Sequence, residues 1–230
     1  MKILITGGNS GLGFEITNLL VQAGHEVIIL GKDKKKLDLA KKQIDSDKLS
    51  TIECDLRDPV DIDTKLSRIE HLDILINNAG IISYKKLEEE TDENIKDIVN
   101  TNLLGTIFVT KKLLPVFEKQ NSGIIMNISS TSGLITGGHS EETIYVASKF
   151  GITGFTETLK KEMKEQKLNI RVLGFYPGGM NTDLFAKAGL DKDTTKFMDP
   201  KEIAKIVVFI LERPEEINMD HVVINRNKAF

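Results

Sequence analysis

Short apolar runs alternate with longer amphipathic stretches along almost the whole chain. That rhythm narrows the fold more than any other feature. The runs are Lys2–Thr6, His25–Leu30, Leu49–Asp55, Leu72–Asn78, Gly123–Ser129, Ile170–Pro177 and His221–Asn225. They are apolar on both faces, as strands covered by helices on both sides must be. The intervening stretches read as helices; the first closes at Gly24 and the second spans about Lys34 to Asp45. Strand and helix in alternation predict right-handed crossovers. The expected fold is therefore α/β: a doubly wound parallel sheet of about seven strands with helices on both faces.

No repeat, low-complexity tract or linker interrupts the pattern, so a single domain over residues 1–230 is expected. Two segments break the rhythm. Residues 92–119 carry one long helical pattern, and residues 178–199 lack a clear core period. Doubly wound folds place ligands at the carboxyl ends of their strands. An insertion there, at about 183–198, is expected to cover a pocket.

Composition excludes several functions. At 40% hydrophobic and 28% charged, the 230 residues suit a substantial core. Lys plus Arg is 31 and Asp plus Glu is 34, a formal charge of −3 without the basic excess of a nucleic-acid binder. No run of about 18 apolar residues suggests a membrane span, and the first apolar run is too short for a signal peptide. The single cysteine, Cys54, cannot pair within the chain and fits a reducing compartment. A cytoplasmic protein without nucleic-acid or membrane partners is the expectation. Cys54, His25, His71, His139 and His221 have no partners at metal-ligand spacing, so no catalytic metal is expected.

The first strand runs into "TGGNSGLGFEI", with Gly7, Gly11 and Gly13 between strand and helix. Glycine allows a tight turn and close approach of backbone to a pyrophosphate, and the helix N-terminus offers unpaired N–H groups. The spacing is GxxxGxG rather than GxGxxG. A plain tight turn is the rival reading, yet three glycines in seven residues at the first βα turn favour a dinucleotide site of the Rossmann-like kind. The end of the second strand selects the nucleotide: a carboxylate there binds a ribose 2′-hydroxyl, a basic residue a 2′-phosphate. Here the strand is followed by Gly31, Lys32 and Asp33. With Lys32, and with Asn9 and Ser10 in the turn, NADP(H) is favoured. Asp33 keeps NAD(H) as the alternative, and a solvated charge run at Lys32–Lys36 is the plain reading of the lysines.

Tyr145 and Lys149 stand four apart in a helix-forming stretch, so they share a face. An ammonium beside a phenol favours the phenolate, and the pair predicts a Tyr145 pKa below its usual value of about 10. Such a tyrosine can exchange protons near neutral pH. Alone the motif is weak.

Its companions come in order on the alternating frame: "TGGNSGLG", "NNAG" at Asn77–Gly80, "NTNLLG" at Asn100–Gly105, "NISS" at Asn127–Ser130, "YVASK" at Tyr145–Lys149 and "YPGGMNT" at Tyr176–Thr182. Together these resemble the short-chain dehydrogenase/reductase family, in its compact form, from residue 1 to about 211. The resemblance implies hydride transfer between nicotinamide and a small carbonyl or alcohol substrate. Tyr145 would be the acid or base, and Lys149 would hold the nicotinamide ribose and tune Tyr145. Asn102 would hold a water, and a serine at the end of the fifth strand would orient the carbonyl oxygen. It also implies cofactor contacts at Gly7, Asn9, Ser10, Gly11, Leu12, Gly13, Lys32, Asp55, Leu56, Asn78, Ala79 and Gly80. Tyr145, Lys149, Pro177, Gly178, Met180 and Thr182 complete that set. A homodimer or homotetramer is implied as well, although the ending "MDHVVINRNKAF" lacks the glycine-rich tail common in the family.

Two serines compete for the catalytic role. The strand-end pattern selects Ser130, whereas Ser132 is closer to the usual spacing from the tyrosine. Alignment at the strand end favours Ser130 and puts the extra residues in the polar loop Gly137–Glu142, read as a pocket rim with His139 exposed on it. Ser129, Ser132, Ser140 and Ser148 then read as turn, loop or helix residues. A non-catalytic dinucleotide-binding regulator of the same fold is the competing function, and the intact set of Asn102, Ser130, Tyr145 and Lys149 argues against it.

Overall fold

A computed structural model describes residues 1–134, 140–191 and 193–227. His139, and with it the first half of the Gly137–Glu142 loop, lies outside the described residues. The seven predicted strands are all present: β1 (Lys2–Thr6), β2 (Glu26–Gly31), β3 (Leu49–Glu53), β4 (Ile74–Asn77), β5 (Gly123–Ile128), β6 (Ile170–Pro177) and β7 (His221–Ile224). They form one parallel sheet in the order β3-β2-β1-β4-β5-β6-β7.

Strand alternation explains why the runs are apolar throughout. Ile3, Ile5, Val27, Ile29, Ile74 and Ile76 face one layer, built on α1 (Gly11–Gln22), α2 (Lys34–Ile44) and α8 (Pro200–Leu211). Leu4, Ile28, Leu30 and Leu75 face the other, built on α3 (Pro59–Leu66), α5 (Gly105–Gln120) and α6 (Thr143–Glu165). The two edge strands are the exceptions: β3 is buried at Leu49 alone, and β7 alternates exposed and half-buried.

The order of the sheet reverses between β1 and β4, so the chain leaves these two neighbours toward opposite layers and a crevice opens beyond their carboxyl ends. The two layers also fix the helices laterally. Asn77 donates to Thr110 Oγ1 (2.9 Å) and to Asn127 Oδ1 (2.8 Å), and Asn127 donates to Thr156 Oγ1 (2.9 Å). This buried chain ties β4 and β5 to α5 and α6 and so fixes where the start of α6 sits.

The long helical pattern of residues 92–119 is not one regular helix. It begins as α4 (Asp92–Val99), widens into a π turn at Asn100–Leu104 and continues as α5. The insertion after β6 contains one short helix, α7 (Leu184–Lys187). Among the described residues no helix is long and apolar enough to cross a membrane.

Candidate active site

Four elements converge at the carboxyl edge of the sheet. β5 ends at Ile128 and the chain stays extended through Ser130 (φ −163°, ψ 158°), which places the Ser130 side chain at the mouth of the crevice, 7% exposed. Across from it the first turns of α6 present Tyr145 and Lys149. The Ser130 hydroxyl is hydrogen-bonded to the Tyr145 phenol. Ser132 only donates its backbone N–H to Ser130 Oγ (3.1 Å). Ser129 faces the other way and donates to the Lys149 carbonyl (3.0 Å), pinning α6 to the end of β5.

Lys149 is 4% exposed. Its ammonium donates to the Ile128 carbonyl (3.0 Å) and lies 5.7 Å from the centre of the Tyr145 ring. Burial draws the Lys149 ammonium down to a pKa of about 8. Burial also pushes the Tyr145 phenol up to about 12, against the Ser130 hydrogen bond and helped by the charge of Glu142. The expectation of a depressed Tyr145 pKa is therefore not met in the protein alone. The lysine is itself desolvated and turned to a main-chain carbonyl, so its charge does not offset the loss of water around the phenol.

Asn102 sits in the π turn and is 1% exposed. Its carboxamide accepts from Ile81 N–H (2.8 Å), donates to the Ile81 carbonyl (2.9 Å) and donates to Ser148 Oγ (3.0 Å). A π turn widens the helix and re-aims one side chain, here toward the strand-four loop. Gly80 lies at the meeting point: a Cβ there would stand 3.5 Å from both Asn102 Oδ1 and Lys149 Nζ.

The glycine turn lies beside this cluster. Gly7 has φ +67°, a left-handed conformation that a side chain would strain. Gly13 lets α1 pass close to the turn, since a Cβ would fall 2.4 Å from the Gly7 carbonyl and from Asn78 Nδ2. Thr6 Oγ1 accepts from the N–H groups of Asn78 and Ala79 (3.0 Å each), and Asn78 Nδ2 donates to the Thr6 carbonyl (3.0 Å). This joins β1 to the β4 loop across the crevice. Ser10 is the N-cap of α1 but makes no side-chain cap bond. The first N–H groups of α1 are thus left for a ligand.

The other expected cofactor positions divide. Leu12 and Leu56 are core side chains, 5% and 8% exposed. Asp55 is held by Arg57 (2.6 Å), which also grips Asp97 (2.8 Å), and these bonds keep the Asp55 carboxyl below its ordinary range. Lys32 is exposed at the end of β2. Asn9 Oδ1 lies 2.8 Å from where a Cβ of Gly31 would be. Asp33 caps α2 by accepting from Lys36 N–H (3.2 Å). Pro177 ends β6, Gly178 donates to the Ile224 carbonyl (2.8 Å), and Met180 bridges to Met198. Thr182 faces the glycine turn, its Cγ2 3.5 Å from a Cβ placed on Gly11.

Three side chains at the crevice escaped the sequence reading. Lys187 of α7 donates to Ser10 Oγ (3.3 Å), so the insertion reaches the glycine turn. Tyr84 packs near Phe185 (ring centres 5.8 Å), which meets Phe197 edge-on (5.5 Å). Glu142, 5% exposed, accepts a hydrogen bond from Tyr84. Only Glu142 had a local signal: at three residues before Tyr145 it shares that helical face.

A family model described as short chain dehydrogenase matches residues 1–193. The chain belongs to the short-chain dehydrogenase family. An uncharacterized oxidoreductase of Staphylococcus saprophyticus is 30% identical over 228 residues, covering 96% of this chain and 95% of that one. A serine dehydrogenase in its closed form with NADP+ superposes with a TM-score of 0.88 at 26% identity, covering 97% and 94% of the two chains. A variant actinorhodin polyketide ketoreductase with NADPH gives 0.85 at 27% identity, over 98% and 95%. The 3-ketoacyl-(acyl-carrier-protein) reductase of Brucella melitensis with NADH gives 0.85 at 25%, over 100% and 98%. Family membership and oxidoreductase relatives make this protein a short-chain dehydrogenase/reductase enzyme.

Proposed function

We propose that the protein reduces a small-molecule carbonyl to an alcohol with NADPH, or runs the reverse oxidation with NADP+. The observation that carries the reading is the meeting of Ser130, Tyr145 and Lys149 beside a glycine turn whose helix N-terminus is uncapped. Lys149 also fits a cofactor ribose. It is nearly buried, has a main-chain carbonyl as its acceptor, and forms no ion pair among the described residues, so hydroxyl oxygens would complete its shell.

When bound, the cofactor supplies the hydride that the carbonyl carbon accepts. Tyr145 gives its phenolic proton to the carbonyl oxygen, which becomes the alcohol; the proton is replaced from solvent. Ser130 donates to the same oxygen as negative charge grows on it. Lys149 favours the transient phenolate, and Asn102 holds the Ile81 backbone beside Lys149.

The 2′-phosphate preference rests on the end of β2. Gly31 offers no carboxylate, Asn9 fills its space, Asp33 is used as a helix cap, and Lys32 is exposed beside it. NADP(H)-bound relatives agree. The test measures NADPH and NADH dissociation constants, then cofactor oxidation over ketones, keto-esters, acyl thioesters and sugars. NADPH is expected to bind at least about tenfold tighter, one charge-assisted contact's worth. Tyr145→Phe is expected to bind NADPH normally and lose turnover by about 10²-fold or more. Tighter NADH binding overturns the cofactor assignment. NADPH binding with no oxidation by any of the panel overturns turnover and leaves a dinucleotide-binding protein.

A further inference from the structure

Glu142 is a carboxylate in an unusual place. It occupies the N-cap position of α6 yet makes no side-chain cap bond, so capping does not account for it. It is 5% exposed, and no cation forms an ion pair with it among the described residues. The Tyr84 phenol donates to it. The segment carrying Tyr84 is clamped to the same corner, because Lys85 N–H donates to the Glu141 carbonyl (2.9 Å). Glu142 and Tyr84 both lie near enough to act electrostatically on the Tyr145 phenol. Phe185 packs near Tyr84, and Phe197 meets Phe185 edge-on. An aromatic run and one acidic group thus lie together beside the reacting phenol.

A buried carboxylate held by one neutral donor is costly unless a cation completes it. The protein provides Tyr84 and sets the charge within electrostatic reach of the Tyr145 phenol. We propose that Glu142 is the specificity-determining group of this site, and that it selects substrates bearing an ammonium group close to the reacting carbonyl or carbinol: amino ketones and amino alcohols. This rests on the carbonyl-reductase reading above and names the substrate class for it. The ammonium would pair with Glu142 while Ser130 and Tyr145 hold the carbonyl oxygen, so one contact fixes which end of the molecule enters first. Tyr84 acts as a positioning residue, keeping the carboxylate turned inward.

The test compares aminoacetone with hydroxyacetone, which match in size and differ in charge, as substrates for NADPH oxidation. Wild type is expected to favour aminoacetone in kcat/KM by about 10- to 100-fold, the worth of one hydrogen bond to a charged group. Glu142→Gln keeps an acceptor for Tyr84 and removes the charge. It should abolish that preference by lowering kcat/KM for aminoacetone toward the value for hydroxyacetone. Glu142→Asp, which keeps the charge, should retain the preference, and melting curves confirm that each variant folds. Equal use of the two ketones by wild type, or an equal loss on both in Glu142→Gln, overturns the proposal. Bound NADPH with neither ketone reduced, nor any neutral carbonyl, overturns the parent reading and this one with it. Reduction of neutral carbonyls alone overturns only this one.

Discussion

Replacing Lys149 by methionine should make the protein more stable and inactive. The ammonium is buried with no carboxylate in an ion pair with it among the described residues, and it gives one hydrogen bond to the Ile128 carbonyl. A pKa drawn from 10.5 down to about 8 corresponds to a penalty of about 3 kcal/mol on the charged form. Methionine has a similar length and removes that penalty. It also leaves the Ile128 carbonyl without its donor, which costs about 1 kcal/mol. The net gain near pH 7 is then about 2 kcal/mol, or roughly 4–8 °C in Tm for a chain of this size. The sign with pH follows from proton binding. Between about pH 8 and 10.5 the unfolded chain holds a proton that the folded chain has released, so wild-type stability rises through that window. The variant has nothing to titrate there. Its advantage is full below pH 8 and is gone by about 10.5. Urea unfolding of both proteins, without cofactor, at pH 7, 9 and 10.5 measures the difference directly. Comparing differences cancels the titration of the other lysines. A variant less stable at pH 7, or a difference that does not change with pH, would refute the reasoning.

Ser130→Ala removes the hydroxyl bonded to the Tyr145 phenol and should lower turnover at least about a hundredfold; Ser132→Ala should leave turnover near wild type, and the reverse result would move the proposed role to Ser132. Thr6→Val keeps the shape of a 2%-exposed side chain and deletes the acceptor of two N–H groups, those of Asn78 and Ala79. It should cost about 2–3 kcal/mol in urea unfolding and weaken NADPH binding; a loss below about 0.5 kcal/mol would show that water replaces the hydroxyl.

The sheet was legible because its signal is local. Each strand is a short β-branched run whose residues go alternately into two layers, and the parallel order follows from the helices between them. The ends were legible to within a residue or two; β2 runs one residue further, through Gly31. Tyr145 and Lys149 could be paired because four residues is one helical turn. Ser130 could be preferred because it ends a strand. What stayed hidden depends on contacts across long stretches of chain. Nothing near Lys187 tells of Ser10, 177 residues away, and nothing near Tyr84 tells of Glu142. The widening of the helix at Asn102 also escaped, since a π turn leaves the apolar period almost intact while changing where one side chain points.

The tyrosine and the lysine show why spacing alone misjudges chemistry. From spacing, the two should stabilise each other's charge. In the folded chain burial acts on both, in opposite directions: the phenol goes up to about 12 and the ammonium down to about 8. Each is pushed toward its neutral form; near pH 7 the lysine still carries its proton, but it directs that charge at the Ile128 carbonyl and not at the phenol. The pair becomes competent when something polar completes the lysine's shell. A ligand with hydroxyl groups at Nζ would raise the ammonium's pKa again and, through it, ease ionisation of the phenol. The desolvation that costs the protein stability at Lys149 also holds the Tyr145 phenol in its protonated form. Glu142 adds to that restraint by opposing charge on Tyr145, and a cationic group bound there would lift it. In the proposed reaction the stability given up at the buried lysine would be coupled to a ligand contact on the cofactor side of the phenol, and the charge of Glu142 to one on its substrate side.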